Sequence, residues 1–197
     1  MPADTALLLL DYQVGLAQEG PHCLAPPLAA QVRVRGVIAA AAQVLDVARS
    51  VGLPVFHVRL AFDPTYRLRT NRLARFAGYE QNRTMLAGSP EAQIVADLAP
   101  LDGEPVIDKS CVDPFIGTPL REVFAAEGIR HVVLGGIATH LVVESAARHA
   151  SDSGLQVSVV EELCAAPDQA VHAYACATTL PLFGTVTTAE DVIRSWK

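Results

Sequence analysis

Lysine is almost absent from this chain, occurring only at Lys109 and Lys197 against thirteen arginines. Codon usage accounts for most of such a bias. It nevertheless singles out Lys109, at the end of an apolar run, as a compact charge whose pKa responds to burial as a guanidinium's does not. Long hydrophobic runs are also missing. Stretches such as Ala6 to Leu10 and Val37 to Ala42 are too short to span a bilayer, so no membrane partner is expected. The first residues carry no charged n-region and no cleavage site, and the expected compartment is the cytoplasm. The four cysteines (Cys23, Cys111, Cys164 and Cys176) show no CxxC pair and no metal-ligand spacing, which points to reduced thiols. A net charge of −6 disfavours nucleic acid as a partner. Repeats and low-complexity segments are missing too.

What is present is a chain of 197 residues, 51% hydrophobic, which suits a single domain over 1–197 with a sizeable core. Short β-type runs alternate with helical ones. That is the pattern of a doubly wound, three-layer α/β/α fold on a six-stranded, mainly parallel, Rossmann-type sheet. Strands are expected at Ala6–Leu10, Pro54–Leu60, Pro105–Lys109, Val132–Leu134, Leu155–Val160 and Gly184–Thr187. Helices are expected over Leu28–Val51, from Ser89-Pro90 to Leu98, from Thr118-Pro119 to Gly128, over Thr139–Ser153, over Asp168–Leu180, and after the cap at Thr188. Residues 61–88 differ from the rest. Arg67, Arg69, Arg72, Arg75 and Arg83 stand there among Phe62, Tyr66, Phe76 and Tyr79, in a connection long enough to be a functional loop or lid.

Ligands of such sheets bind beyond the carboxyl ends of the strands. Three features meet that condition: Asp11 after the first strand, Lys109 at the end of the third, and the turn at 136–142 after the fourth. A carboxylate, an ammonium and a helix-start backbone at one edge say more together than any one alone. Separately, each would read as a turn residue, a solvated terminus and a tight connection.

The stretch Gly135-Gly136-Ile137-Ala138-Thr139-His140-Leu141-Val142-Val143 resembles the nucleophile turn of the isochorismatase-like cysteine hydrolases, roughly G-[IV]-A-T-x-x-C-V. Val142 stands at the cysteine position. Leu7 to Gln13 is similar to the family's opening strand with its acidic residue. Lys109 to Leu120 is similar to its K-x-x-x-S-x-F-x-G-T-x-L, and Glu161 to Ala166 to its E-D-A-C-A. The resemblance implies that Asp11 moves a proton and Lys109 stabilises charge. It implies an oxyanion hole from the amides of Ala138 and Val142, a cis peptide at Ile137–Ala138, and a homodimer or homotetramer. Substrate contacts are expected from Gln13, Phe115, Thr139 and His140, and from Arg59, which with the lid arginines would hold a dicarboxylate through paired N–H donors.

A valine can neither attack a carbonyl nor move a proton, so the usual covalent route cannot run through position 142. Three readings stand. The leading one is cysteine-independent acid catalysis on a small anionic metabolite, as in enol-ether hydrolysis, with Asp11 as the acid. The second is a metabolite-binding member without turnover. The third is an amide or ureido hydrolase with a displaced nucleophile at Cys111. No cofactor is expected. No metal is expected either, because Val58 to Pro64 lacks the D-x-H zinc pattern of nicotinamidase-like relatives and His57 reads as a core residue.

Overall fold

The computed structural model describes residues 4–197. Its centre is a six-stranded sheet of β1 (Thr5–Leu10), β2 (Val55–Leu60), β3 (Val106–Lys109), β4 (His131–Ile137), β5 (Gln156–Ala165) and β6 (Thr185–Thr187), in the order β3-β2-β1-β4-β5-β6. Every pairing is parallel. The mainly parallel expectation is met without an antiparallel exception.

The unbroken leucine run of β1 follows from this topology. A central parallel strand is covered on both faces and has no polar side to alternate with. Leu7 and Leu9 enter one core with α2 (Pro26–Val34), α3 (Val37–Ser50) and α8 (Ala189–Trp196). Ala6, Leu8 and Leu10 enter the other, with α5 (Leu120–Glu127) and α6 (Glu144–Asp152). In α3 the buried residues are Val37, Ala41, Val44, Leu45 and Ala48, one helical stripe against the sheet. A short α1 (Val14–Ala17) follows β1, and α7 (Gln169–Tyr174) follows β5.

Several boundaries differ from the sequence expectation. The single helix expected over Leu28–Val51 is two, bent by 63°, because Gly36 takes a left-handed φ of 66° and starts α3 afresh. The helix expected after Ser89-Pro90 is a pair of 3-10 turns, Pro90–Ala92 and Ala96–Leu98. Between them the chain pairs with the segment after β1: Ile94 bridges Gln13, and the Val95 N–H donates to the Tyr12 carbonyl. Tertiary pairing overrides the local cap signal. Residues 61–88 are not a bare loop. They carry α4 (Ala74–Asn82) over an aromatic cluster of Phe62, Tyr66, Phe76 and Tyr79. Backbone bonds between Phe62 and both Met85 and Ala87 close the base of this segment. Among the described residues, no single helix is long and apolar enough to cross a membrane.

Candidate active site

Strand order reverses between β1 and β4, and a crevice opens where those two strands end. Gly136 makes the approach possible. A Cβ there would lie 2.6 Å from the Leu10 Cβ and 2.9 Å from the Leu10 carbonyl oxygen. Beyond it comes a cis Ile137–Ala138 peptide, at the place implied by the family resemblance. The next five residues, Thr139–Val143, form a π-turn that leads into α6.

On the β1 side, Asp11 leaves the strand with a φ of 60°, in the left-handed region that Asp tolerates better than most residues. Its N–H donates to the Val58 carbonyl at 2.8 Å, which ties the turn to β2. Lys109 arrives from β3. Its Nζ donates to Asp11 Oδ2 at 2.9 Å and to the Cys111 carbonyl at 3.0 Å. The ammonium side chain is 1% exposed and the carboxylate 8%. Asp11 Oδ1 is buried with no partner. Burial pushes the Asp11 pKa upward; the Lys109 charge and hydrogen bond pull against it and leave it raised.

These groups line a cavity of about 560 Å³, with Ile137, Ala138 and Val142 along one side and Arg75, Phe76 and Tyr79 of α4 closing over it. The Tyr79 hydroxyl is pushed up by burial, with Arg75 opposing. Arg75 lies with its guanidinium carbon 5.2 Å from the Phe76 ring centroid. It joins none of the ion pairs among the described residues. Its charge reaches both Asp11 and His140. No cysteine stands on the turn. Cys111 lines the cavity, but its Sγ is aimed at the carbonyls of Asp113 and Ile116, at 3.4 and 3.8 Å. Cys164 is buried, with its thiol pushed up to about 12 by desolvation.

The structure thus brings together Asp11, Lys109, Ile137, Ala138 and Val142. None of the five expected substrate contacts is among the residues that line the cavity. Gln13 is fully buried and its amide is spent on backbone: Nε2 donates to the Leu60 and Ala92 carbonyls, and Oε1 accepts from the Leu60 N–H. It holds the end of β2 between Asp11 and Lys109. Arg59 is engaged by Asp108 at 2.6 Å. Phe115 is packed against Phe124 and stacked on His149. Thr139 is fully buried, and its hydroxyl meets His172 Nδ1 at 2.8 Å while His172 Nε2 meets Glu161. His140 stands outside the cavity lining, with its Nδ1 buried and unpartnered and its pKa pushed down by burial.

Of the five lid arginines, only Arg75 lines the cavity. Arg69 is held by Glu80, and Arg83 donates to the Pro64 carbonyl. Sequence reasoning therefore grouped Arg75 with its neighbours without singling it out, and did not place Tyr79 or Leu141 in the site. Their place follows from α4, whose helical spacing of Arg75, Phe76 and Tyr79 was the available signal. Among the described residues, no three His, Cys, Asp or Glu side chains converge as a metal site.

Comparison with known proteins agrees with this fold. A model described as "Isochorismatase domain" matches residues 5–191. The chain is 28% identical over 189 residues to a maleamate amidohydrolase of Pseudomonas putida, covering 96% of this chain and 85% of that protein. It is also 28% identical over 214 residues to a ureidoacrylate amidohydrolase of Variovorax paradoxus, covering 98% and 82%. In three dimensions it resembles a cysteine hydrolase of Pseudomonas syringae pv. phaseolicola, with a TM-score of 0.86, 21% identity, and coverage of 100% and 93%. A likeness at that identity speaks for the fold alone.

Proposed function

The chain belongs to the isochorismatase family of hydrolases, and from that premise we propose that it hydrolyses a small anionic metabolite without a thiol, using Asp11 as general acid. The observation that carries the reading is the asymmetry of Asp11. One carboxyl oxygen is held by Lys109, while the other is buried with no partner, on a residue that lines the cavity. A carboxyl whose pKa is raised by burial keeps a proton into the range where it can give it away.

Enol-ether hydrolysis suits this arrangement. Asp11 donates its proton to the terminal alkene carbon, and the electron pair of the C=C bond forms the new C–H bond. The oxocarbenium ion left behind is captured by water at the adjacent carbon. Water's proton returns to Asp11, and the hemiketal breaks its C–O bond as its hydroxyl proton passes to the leaving oxygen, releasing a ketone and an alcohol. Lys109 balances the Asp11 carboxylate while the proton is away. The amides of Ala138 and Val142 face the oxygen on which charge changes, and Arg75 supplies a cation for a substrate carboxylate. The test is a mass-spectrometric turnover screen of wild type beside Asp11→Asn. Its panel holds isochorismate and simpler enol ethers, with ureido acids and amides beside them. Enol-ether cleavage by wild type alone supports the reading, and silence across the panel favours a metabolite-binding member without turnover.

A second reading has one observation in its favour: Cys111 lines the cavity next to Lys109, and the two curated relatives above are named as amidohydrolases. A thiolate there would attack an amide or ureido carbonyl. Its Sγ would first have to leave the Asp113 and Ile116 carbonyls. Sluggish labelling of Cys111 by iodoacetamide at pH 6.5 would end this reading.

A further inference from the structure

The cavity has two unlike walls. Every charged or hydrogen-bonding side chain lining it comes from the sheet edge or from the lid: Asp11, Lys109 and Cys111 on one, Arg75, Tyr79 and Asn82 with Thr84 on the other. The wall built by residues 16–28 presents Leu16, Leu24, Ala25, Pro27 and Leu28, with no polar side chain among them. Lys109 Nζ is itself occupied, donating to Asp11 Oδ2 at 2.9 Å and to the Cys111 carbonyl at 3.0 Å. Arg75 is therefore the one cation of the lining left without an ion-pair partner among the described residues. A dicarboxylate would meet one guanidinium and leave its second charge against leucines, where an unpaired charge is costly.

We propose that the substrate is a monoanion with a sizeable apolar body, an aryl or branched alkyl group, lying between two poles. Its carboxylate pairs with Arg75, its scissile bond lies over Asp11 Oδ1, and its apolar body rests on the 16–28 wall. The volume is in keeping with this. A cavity of about 560 Å³ falls within the range of roughly 300–1,000 Å³ in which pockets enclose drug-sized ligands, and a three- or four-carbon diacid would leave the leucine wall wet. Leu24 is itself 39% exposed, an apolar side chain held at the rim where such a body would cover it. The proposal names the substrate class for the hydrolytic reading above and rests on that reading for the placement of the scissile bond.

Calorimetric titration of the intact protein with unreactive acids tests it without any need for turnover. The probes are 3-phenylpropanoate and cyclohexanecarboxylate as apolar monoanions, succinate as a dianion and acetate as a bare carboxylate. The expected result is that the two apolar acids bind at least tenfold more tightly than succinate or acetate. Leu24→Gln, a change at a partly exposed site, is expected to weaken 3-phenylpropanoate severalfold and leave acetate unmoved. Arg75→Gln is expected to weaken all of the acids. Succinate binding as tightly as the apolar acids overturns the proposal, as does an unchanged apolar-acid affinity in Leu24→Gln or no binding by any probe. If small diacid enol ethers are turned over in an Asp11-dependent way while the apolar acids fail to bind, this inference falls and the hydrolytic reading stands. Tight apolar-acid binding with no turnover of any enol ether does the reverse.

Discussion

Asp11 Oδ2 and Lys109 Nζ meet at 2.9 Å from strands that are not neighbours. The end of β2 lies between them, and the Gln13 amide holds it there by bonding both the N–H and the carbonyl of Leu60. The pairing leaves Asp11 Oδ1 buried without a hydrogen-bond partner, and the proposed chemistry depends on that oxygen.

Lys109→Met tests the electrostatic half of this relationship. Burial raises the Asp11 pKa and Lys109 lowers it, so removing the ammonium lets the carboxyl hold its proton to higher pH. For a general acid, activity falls as pH rises through its pKa. The falling limb of kcat/KM should therefore move to higher pH in Lys109→Met. A limb that stays put or moves down would contradict the assignment of Asp11 as the acid.

Val142→Cys places a thiol of similar size at a residue that lines the cavity near the end of the Thr139–Val143 turn, just before α6. Thiols near a helix start ionise more readily than buried ones. Iodoacetamide should label this position ahead of Cys111 and far ahead of Cys164, read by peptide mass spectrometry. Slower labelling than Cys111 would mean that position 142 does not face the cavity as described.

Gly136→Ala is expected to cost about 1–3 kcal/mol, the usual range for overpacking. The added Cβ would meet Leu10 atoms at 2.6 and 2.9 Å, and both strands are central to the sheet. Urea unfolding checks this; an unchanged midpoint would show that β4 can move away from β1 more freely than the packing implies.

At the opposite edge of the sheet, Glu104 joins Arg49 at 2.8 Å and the buried His57 at 3.0 Å. Burial pushes its carboxyl up. Arg49, the Leu101 N–H and His57 outweigh that and hold it at about 2, against an ordinary 4.5. A carboxylate whose pKa is depressed on folding stabilises the fold above its unfolded pKa and loses that contribution as pH falls through the folded one. The window is therefore from 4.5 down to about 2. The shift corresponds to about 3 kcal/mol. Glu104→Gln should cost about that much at pH 7 and little at pH 2 in urea unfolding; an equal cost at both would contradict the linkage.

The parts of this molecule that were legible in the sequence are those where one residue type meets one requirement. Asp11, Lys109 and the Gly136–Val142 turn sit at strand ends, and a parallel sheet brings strand ends to one edge whatever the loops do. The leucines of β1 likewise announced a strand covered on both faces. For Gln13, Thr139 and Phe115 the motif position said that they matter without saying how. In the structure they engage Leu60, His172 and His149 respectively. Arg75 was hidden among five arginines, since no local pattern tells which member of a lid will point inward. The pairing of Ile94 with Gln13 joins segments far apart in sequence, and local periodicity carries no trace of it.

The most direct test of the account is kcat/KM for an enol-ether substrate, measured side by side in wild type, Asp11→Asn and Cys111→Ala. General acids contribute about 10²–10⁴-fold, so Asp11→Asn should lose at least two orders of magnitude and Cys111→Ala should stay within a few-fold of wild type. The reverse pattern, with activity lost at Cys111 and kept at Asp11, would contradict thiol-free acid catalysis.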